Sequence, residues 1–474
     1  FSNKYLVLVE LKGANDGINT LAPFETDNYQ KFRPNLHLKK NQIIDVGQSP
    51  LVGRVGLAQS MSALDGSISE DLAMIQGVGY PGQNRSHFKS IAIWETGGDG
   101  QNSRTTGWLT KSLEKLYSSD EVIAHGASLE GSLGLFARGD GVYVSMARLN
   151  QLAGLSASDA STSVNSLMKK IIKKKADLSQ ASTQLSQKLA RFPAGRLPRR
   201  MPYGNFSTQL TDVLRVIGSE TAIPVMHVQH GSFDTHEGQK WQHPRLLSDL
   251  AEGLASFRQN LIKMGRWDDV LVVTYSEFGR RVAENGAEGT DHGTASVQFA
   301  MGGKVNAGLY GDYPSLDKLE DGDLIHTMDY RSIYELVCSS WLHEKNNEWH
   351  DYSDGYGTNA KFRDPSGLAI DENDNIYVGD ANNHRIRKVS DLSNASGAKV
   401  ETISGTGDYD YGDGTQDEAT YREPRFVAYG AGALFVIDVD DNRIRKVQLQ
   451  PKMTIPAGQN SVTYNLKSIN DVVY

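Results

Sequence analysis

Five short apolar runs separated by long connections constrain this chain more than any other feature. Tyr5 to Leu11, Leu72 to Val78, Ile223 to Val228, Asp269 to Tyr275 and Val297 to Met301 are each too short to be helices and too apolar to face water on either side. Between them lie stretches with helical periodicity, chiefly Ser166 to Arg191, Leu246 to Met264 and Met328 to Leu342. Strand, long connection, strand is the pattern of an α/β domain with a mostly parallel sheet covered by helices on both faces. In such sheets chemistry sits beyond the carboxyl ends of the strands. The loops after these runs are therefore the places to search.

Composition narrows the class. The net charge of −8 over 474 residues argues against a nucleic-acid partner, which would need a basic surface. No apolar run approaches the roughly 18 residues of a membrane span. The basic run Lys169 to Lys175 reads as a solvated helix face, with a docking patch for an anionic surface as the other reading. Cys338 is the only cysteine, so no internal disulfide forms, and it reads as a small buried residue. The first residue is Phe1 rather than Met, from which a trimmed leader is expected. The triplets at Asn84, Asn205 and Asn394 fit a glycosylation acceptor.

Near residue 350 the pattern changes. The twelve residues from Asp354 to Pro365 recur from Asp413 to Pro424, an offset of 413 − 354 = 59. Each copy leads into an alternating strand, then into an Arg-Ile-Arg-Lys-Val strand, at Arg385 to Val389 and at Arg443 to Val447. Several short strands per long repeat signal a β-propeller, and the two units resemble NHL blades. Two blades do not close a ring, so further blades or a partner are expected. Residues from Met453 to Tyr474 resemble the start of a Calx-β sandwich cut short. The expected domains are 1–349 (α/β), 350–449 (two blades) and 450–474 (Calx-β-like).

Five loops gather acids, histidines and hydroxyls. Asp16 follows the first strand in Gly13-Ala14-Asn15-Asp16-Gly17, as a cation ligand or as a turn and helix cap. Ser86, with His87 after it, opens a helical stretch, where a serine serves as a cap or as a nucleophile favoured by the helix dipole. Asp234 and His236 make a divalent-metal half-site or a hydrogen-bonded structural pair. Glu277 precedes Arg280 and Arg281, which suits a cation beside a bound phosphate or sulfate, or a structural ion pair. Asp291 and His292 suit a ligand or an oriented base.

Together, Gly13 to Thr20, Asn84 to Phe88, Thr106 to Leu109, Phe233 to His236, Ser276 to Arg280 and Gly289 to Gly293 resemble, in order, the family numbered fifteen hundred and one among domains of unknown function. That family is grouped with the alkaline-phosphatase and sulfatase clan, and its members usually carry a twin-arginine export signal. The resemblance implies an exported protein, periplasmic, cell-surface or extracellular, with an alkaline-phosphatase-like fold. It implies a divalent metal (Zn, Ca or Mg), with Asp234, His236, Glu277 and His292 at the clan's ligand positions; Asp16 and Asp291 are further candidate ligands from their own loops. Ser86 matches the clan's nucleophile, with His87 and Arg280 as further catalytic candidates from their loops, and phosphate or sulfate esters are the implied substrates, an anionic polysaccharide among them. Lys12 and Gly13 stand where the clan has its first Asp, and Phe278 where it has a His after the acid. The two-metal set is thus incomplete, which leaves one metal or none. The alternative is a non-catalytic structural or adhesive protein that assembles through its repeats.

Overall fold

The computed structural model describes residues 3–98, 105–145, 166–342, 354–357, 360–393, 397–407, 409–415 and 418–449. The chain divides into two compact units, Phe1–Asn347 and Glu348–Tyr474. Asn394, the Calx-β-like segment and the side chains of the Lys169 to Lys175 run lie outside the described residues.

The first unit is built on a nine-stranded sheet. Across it run Gly308–Tyr310, Leu72–Gly79, Ser296–Met301, Val270–Tyr275, Tyr5–Leu11, Val225–His230, Gly126–Ser128 and Tyr143–Ser145, while Met328–Asp329 also pairs with Leu72–Gly79. All seven residues of Tyr5–Leu11 are buried, as a central strand covered on both faces must be. The pairings are parallel except for those of Ser296–Met301, which runs against both its neighbours. That reversal corrects the expectation for the fifth apolar run, which looks like the others because a buried strand is apolar whichever way it runs. It has a consequence for the site. The loop before this strand, not after it, reaches the edge where the parallel strands end.

Alternate residues face opposite layers. Tyr5, Val7, Val9 and Leu11 join a core with Leu210 and Val213 of helix Asn205–Gly218 and Leu247 and Leu250 of helix Gln239–Lys263. The other face carries helix His87–Thr96, whose Trp94 stacks on Tyr275 (ring centroids 5.9 Å apart) and on Tyr330 (4.1 Å). Aromatic pairs of this kind contribute about 0.5–1.5 kcal/mol beyond their burial. This helix ends at Gly97, whose φ of +67° lets its N–H turn back to the carbonyls of Ile93 and Trp94. Cys338 is fully buried in the π-helical turn Val337–Trp341. Among the described residues no helix is long and apolar enough to cross a membrane.

The strands described in the second unit pair antiparallel. Gly355–Tyr356, Lys399–Ser404, Arg385–Ser390, Ile376–Asp380 and Pro365–Ile370 form one sheet, and Pro424–Gly430, Ala433–Asp438 and Arg443–Gln448 another. The sequence repeat is explained by a repeated ion-pair knot. Arg387 bridges Asp380 at 2.7 Å and Asp354 at 2.9 Å. Arg445 bridges Asp413 at 2.7 Å and lies 3.8 Å from Asp438. The backbone N–H groups of Arg363 and Glu423 each donate to the corresponding aspartate, both at 2.6 Å. Ala369, Tyr377 and Ile386 of one sheet share a core with Val427, Leu434 and Val436 of the other.

A candidate metal centre at the carboxyl edge of the sheet

The loops after Tyr5–Leu11, Leu72–Gly79, Val225–His230 and Val270–Tyr275, with the loop before Ser296–Met301, meet at one edge of the first unit's sheet. Three imidazoles and a carboxylate converge there. His292 Nε2 lies 3.0 Å from His87 Nε2, 2.9 Å from His236 Nε2 and 3.2 Å from Asp234 Oδ1. His236 Nε2 is 3.1 Å from Asp234 Oδ1, and His87 Nε2 is 3.5 Å from Asp234 Oδ2.

Each ring's other nitrogen is committed. His87 Nδ1 is 2.7 Å from Glu277 Oε1, His236 Nδ1 is 3.1 Å from Asp291 Oδ1, and His292 Nδ1 is 2.8 Å from the carbonyl of Arg85. Carboxylate and carbonyl oxygens only accept, so each Nδ1 carries the proton and donates. In the neutral rings all three Nε2 atoms are then bare lone pairs, turned toward one another and toward an anionic carboxylate. Acceptors without a donor at this spacing repel, and one proton on His292 Nε2 can serve only one of its three neighbours. A divalent cation serves them together. His87, Asp234 and His292 each offer an atom within 4.8 Å of the others'. Ligand bonds of about 2.0–2.1 Å in tetrahedral geometry put ligand atoms roughly 3.3 Å apart, and the observed 3.0, 3.2 and 3.5 Å bracket that value. An imidazole whose remote N–H donates to a carboxylate or carbonyl is the usual support behind a metal ligand. The donor set fits a cation.

Electrostatics pull the two rings in opposite directions, His87 toward its protonated form and His292 toward its neutral one. The hydrogen bond to Glu277 raises His87 above the ordinary imidazole value, while burial lowers His292. Burial would raise the Asp234 carboxyl, but Arg280 outweighs it and holds the group ionised below its ordinary range.

The remaining expected residues fall behind or beside the cluster. Glu277 is buried and accepts from the Gly13 N–H at 2.9 Å as well as bonding His87, so it orients an imidazole rather than joining the ligand group. Asp291 plays the same part for His236 from an exposed position. Arg280 is a correction. Its buried guanidinium donates to the carbonyls of Ala14, Gly13, Phe233 and Thr290 and to Asp234 at 2.6 Å, so it is turned into the loops and serves them rather than a substrate anion. It ties three loops together and fixes Asp234. Asp16 is a second correction. Both its oxygens are taken by Arg33 (2.5 and 3.0 Å), Gln239 also donates to it, and both partners of the ion pair are fully buried. It locks loops and is not among the grouped His87, Asp234 and His292. Gly13 makes the close approach possible: a side chain there would strike the Asp234 backbone nitrogen at 2.5 Å, and its φ is +109°.

Ser86 is exposed at the N-cap of helix His87–Thr96, and its hydroxyl makes no capping bond. The neighbouring His87 ring enters the cluster. Sequence reasoning named Glu277 and Asp291 as ligands because an acid in a loop announces charge but not which atom it faces. It missed Arg33, whose place beside Asp16 comes from packing of a short helix that carries no motif.

Comparisons place the chain among known proteins. The profile of a family described as "Protein of unknown function (DUF1501)" matches residues 47–332, more than half of the 474, and that of the NHL repeat matches 362–389. Over 104 residues the chain is 33% identical to human "NHL repeat-containing protein 2", covering 21% of this chain and 14% of that protein. Over 98 residues it is 32% identical to "Protein SUPPRESSOR OF QUENCHING 1, chloroplastic" of Arabidopsis thaliana, 20% of this chain and 9% of that one. The chain thus spans a small part of either relative. Among solved structures, the PsFucS1 sulfatase from Pseudoalteromonas sp. aligns over 92% of this chain and 84% of its own, at 10% identity and a TM-score of 0.36. A protein in the alkaline phosphatase superfamily from Vibrio parahaemolyticus aligns over 85% and 82%, at 11% identity and 0.31. These structural likenesses are distant.

Proposed function

This chain belongs to the DUF1501 family of proteins of unknown function, and from that premise we propose that it is an exported, metal-dependent hydrolase of phosphate or sulfate esters, polysaccharide esters included. The observation that carries the reading is the convergence of His87, His236 and His292 Nε2 with Asp234 at the edge where a parallel sheet presents its chemistry, with no donor between them. A divalent ion held by His87, Asp234 and His292 supplies positive charge to the ester's oxygens as negative charge grows on them. Asp234 is held ionised by Arg280, and Glu277 and the Arg85 carbonyl keep the His87 and His292 lone pairs pointed inward. Ser86, uncapped at the start of a ten-residue helix, is the proposed nucleophile. Its oxygen bonds to phosphorus or sulfur, the bond to the departing alkoxide breaks, and the serine proton passes through solvent to that alkoxide. Water then frees the group from Ser86.

The test is turnover of p-nitrophenyl phosphate and p-nitrophenyl sulfate by chelator-treated protein before and after adding Zn2+, Mn2+ or Ca2+. Metal-restored turnover, absent from Ser86→Ala and His292→Ala, supports the reading. Full activity in Ser86→Ala eliminates the nucleophile, and turnover indifferent to chelation eliminates the metal.

A second reading concerns the repeats. Phe426, Ile437 and Ile444 stand side by side on adjacent strands and are all exposed, at 56%, 41% and 49%. A blade face of this kind is covered by a neighbouring blade or partner. The second unit is accordingly proposed as an assembly element, tested by whether Phe426→Ser abolishes self-association of the full chain in sedimentation.

A further inference from the structure

The strand Tyr5–Leu11 holds one charged residue in an otherwise apolar run, and its surroundings are not those of an ordinary structural acid. Glu10 is 3% exposed, and its Oε1 has no hydrogen-bond partner. A buried carboxylate oxygen left bare costs about 1–3 kcal/mol or more, so its retention calls for a ligand. Glu10 pairs in register with Gln229 and Tyr275, which places it on the same face as His227, two residues before Gln229. Glu10 Oε2 lies 3.5 Å from His227 Nε2, and Glu10, Glu130 and His227 each offer an atom within 4.8 Å of the others'.

We propose that Glu10, Glu130 and His227 form a second divalent-metal site, separate from the histidine cluster, that takes a zinc-type ion. Two carboxylates and one imidazole are a ligand set that zinc accepts, with a further position left for water. His227 is suited to ligation because Ser128 Oγ, 3.3 Å from its Nδ1, can accept that nitrogen's proton and free Nε2. The Tyr275 hydroxyl, 2.9 Å from the same Nε2, then turns toward the ion or toward Glu10. Burial pushes the Glu10 carboxyl up to about 8, with Glu277 and Glu130 adding repulsion, while burial drops His227 to about 3. The pocket therefore gathers acids around a neutral ring. Lys12, with its Nζ 3.9 Å from Glu130, is a loose and half-exposed counter-charge. Glu130 lines a cavity of about 590 Å³ together with Leu129, Gln229 and His230.

The experiment is zinc content per chain of the full-length protein, stripped with chelator, dialysed against ZnCl2 and measured by mass spectrometry. Wild type is expected to hold two ions, Glu10→Gln one, His292→Ala one, and the double variant none. Glu130→Gln is expected to match Glu10→Gln, and a thermal unfolding curve like that of wild type for either variant separates loss of the ion from misfolding. Glu10→Gln and Glu130→Gln both holding as much zinc as wild type overturns the second site. Loss of zinc from His292→Ala alone, with both glutamate variants unchanged, overturns it too while leaving the histidine centre standing.

Discussion

In the repeats Arg387 lies between Asp380 and Asp354, and Arg445 between Asp413 and Asp438, so the acids at the base of each blade face a guanidinium. At the carboxyl edge of the large sheet three imidazoles and the Asp234 carboxylate face one another, and the Arg280 guanidinium holds Asp234. Both regions use buried arginine. In the blades it lies between two acids, although burial still outweighs it at Asp380 and raises that carboxyl. At the sheet edge it fixes one acid in place and leaves an inward-facing set of acceptors unsatisfied. The contrast lies in what the arginine faces: an acid on either side in a blade, one acid and a set of backbone carbonyls at the sheet edge.

Substitutions sharpen or break that contrast. The largest expected effect is at Arg280. Arg280→Ala strips the donor from four buried carbonyls and from Asp234, and a loss of about 3–5 kcal/mol is expected in denaturant unfolding of the first unit. A loss below 1 kcal/mol would show that those carbonyls find water and that the loops are not tied there. Next is Arg387→Met, which leaves the fully buried Asp380 uncompensated and should cost about 3 kcal/mol. Arg445→Met should cost less, because its contact to the equivalent Asp438 is 3.8 Å rather than 2.7 Å. Equal losses would break the parallel between blades. Third, Glu277→Gln keeps the shape behind His87 but removes the charge that orients it, and should weaken zinc binding 10–100-fold in calorimetric titration. Unchanged affinity would make Glu277 a purely structural acid.

The last effect concerns Asp16 and is read from pH dependence. Burial opposes its charge, but Arg33 outweighs burial and holds its pKa below the ordinary 3.8. A depressed acid contributes stability that is present above its unfolded value and is lost as pH falls through the folded one. Wild type should therefore lose thermal stability below about pH 4 by an amount that Asp16→Asn does not show. Parallel profiles for the two would remove Asp16 from the account.

The strands were legible because burial on both faces leaves an apolar run with nothing to disguise it. The blades were legible because the Asp and Arg of each knot recur 59 and 58 residues apart (413 − 354 and 445 − 387). The edge loops were legible as a set, since glycine, acid and histidine crowd after each strand. Roles within them were not. Arg280 and Asp16 look like functional charges in a sequence, and only their partners, Gly13, Ala14 and Phe233 for one and Arg33 for the other, reveal them as ties. His87 sat in the shadow of Ser86, although the ring enters the cluster. Glu10 and His227 were passed over as parts of strands. A charged or titratable residue inside a fully buried run was the signal that could have exposed them.

Anomalous diffraction above and below the zinc edge, on crystals of the full chain grown with ZnCl2, tests the central claim most directly. The account predicts a peak bonded to His87 Nε2, His292 Nε2 and an Asp234 oxygen, with His236 at its rim. A map without a peak there, and with those four side chains still facing one another, would contradict it.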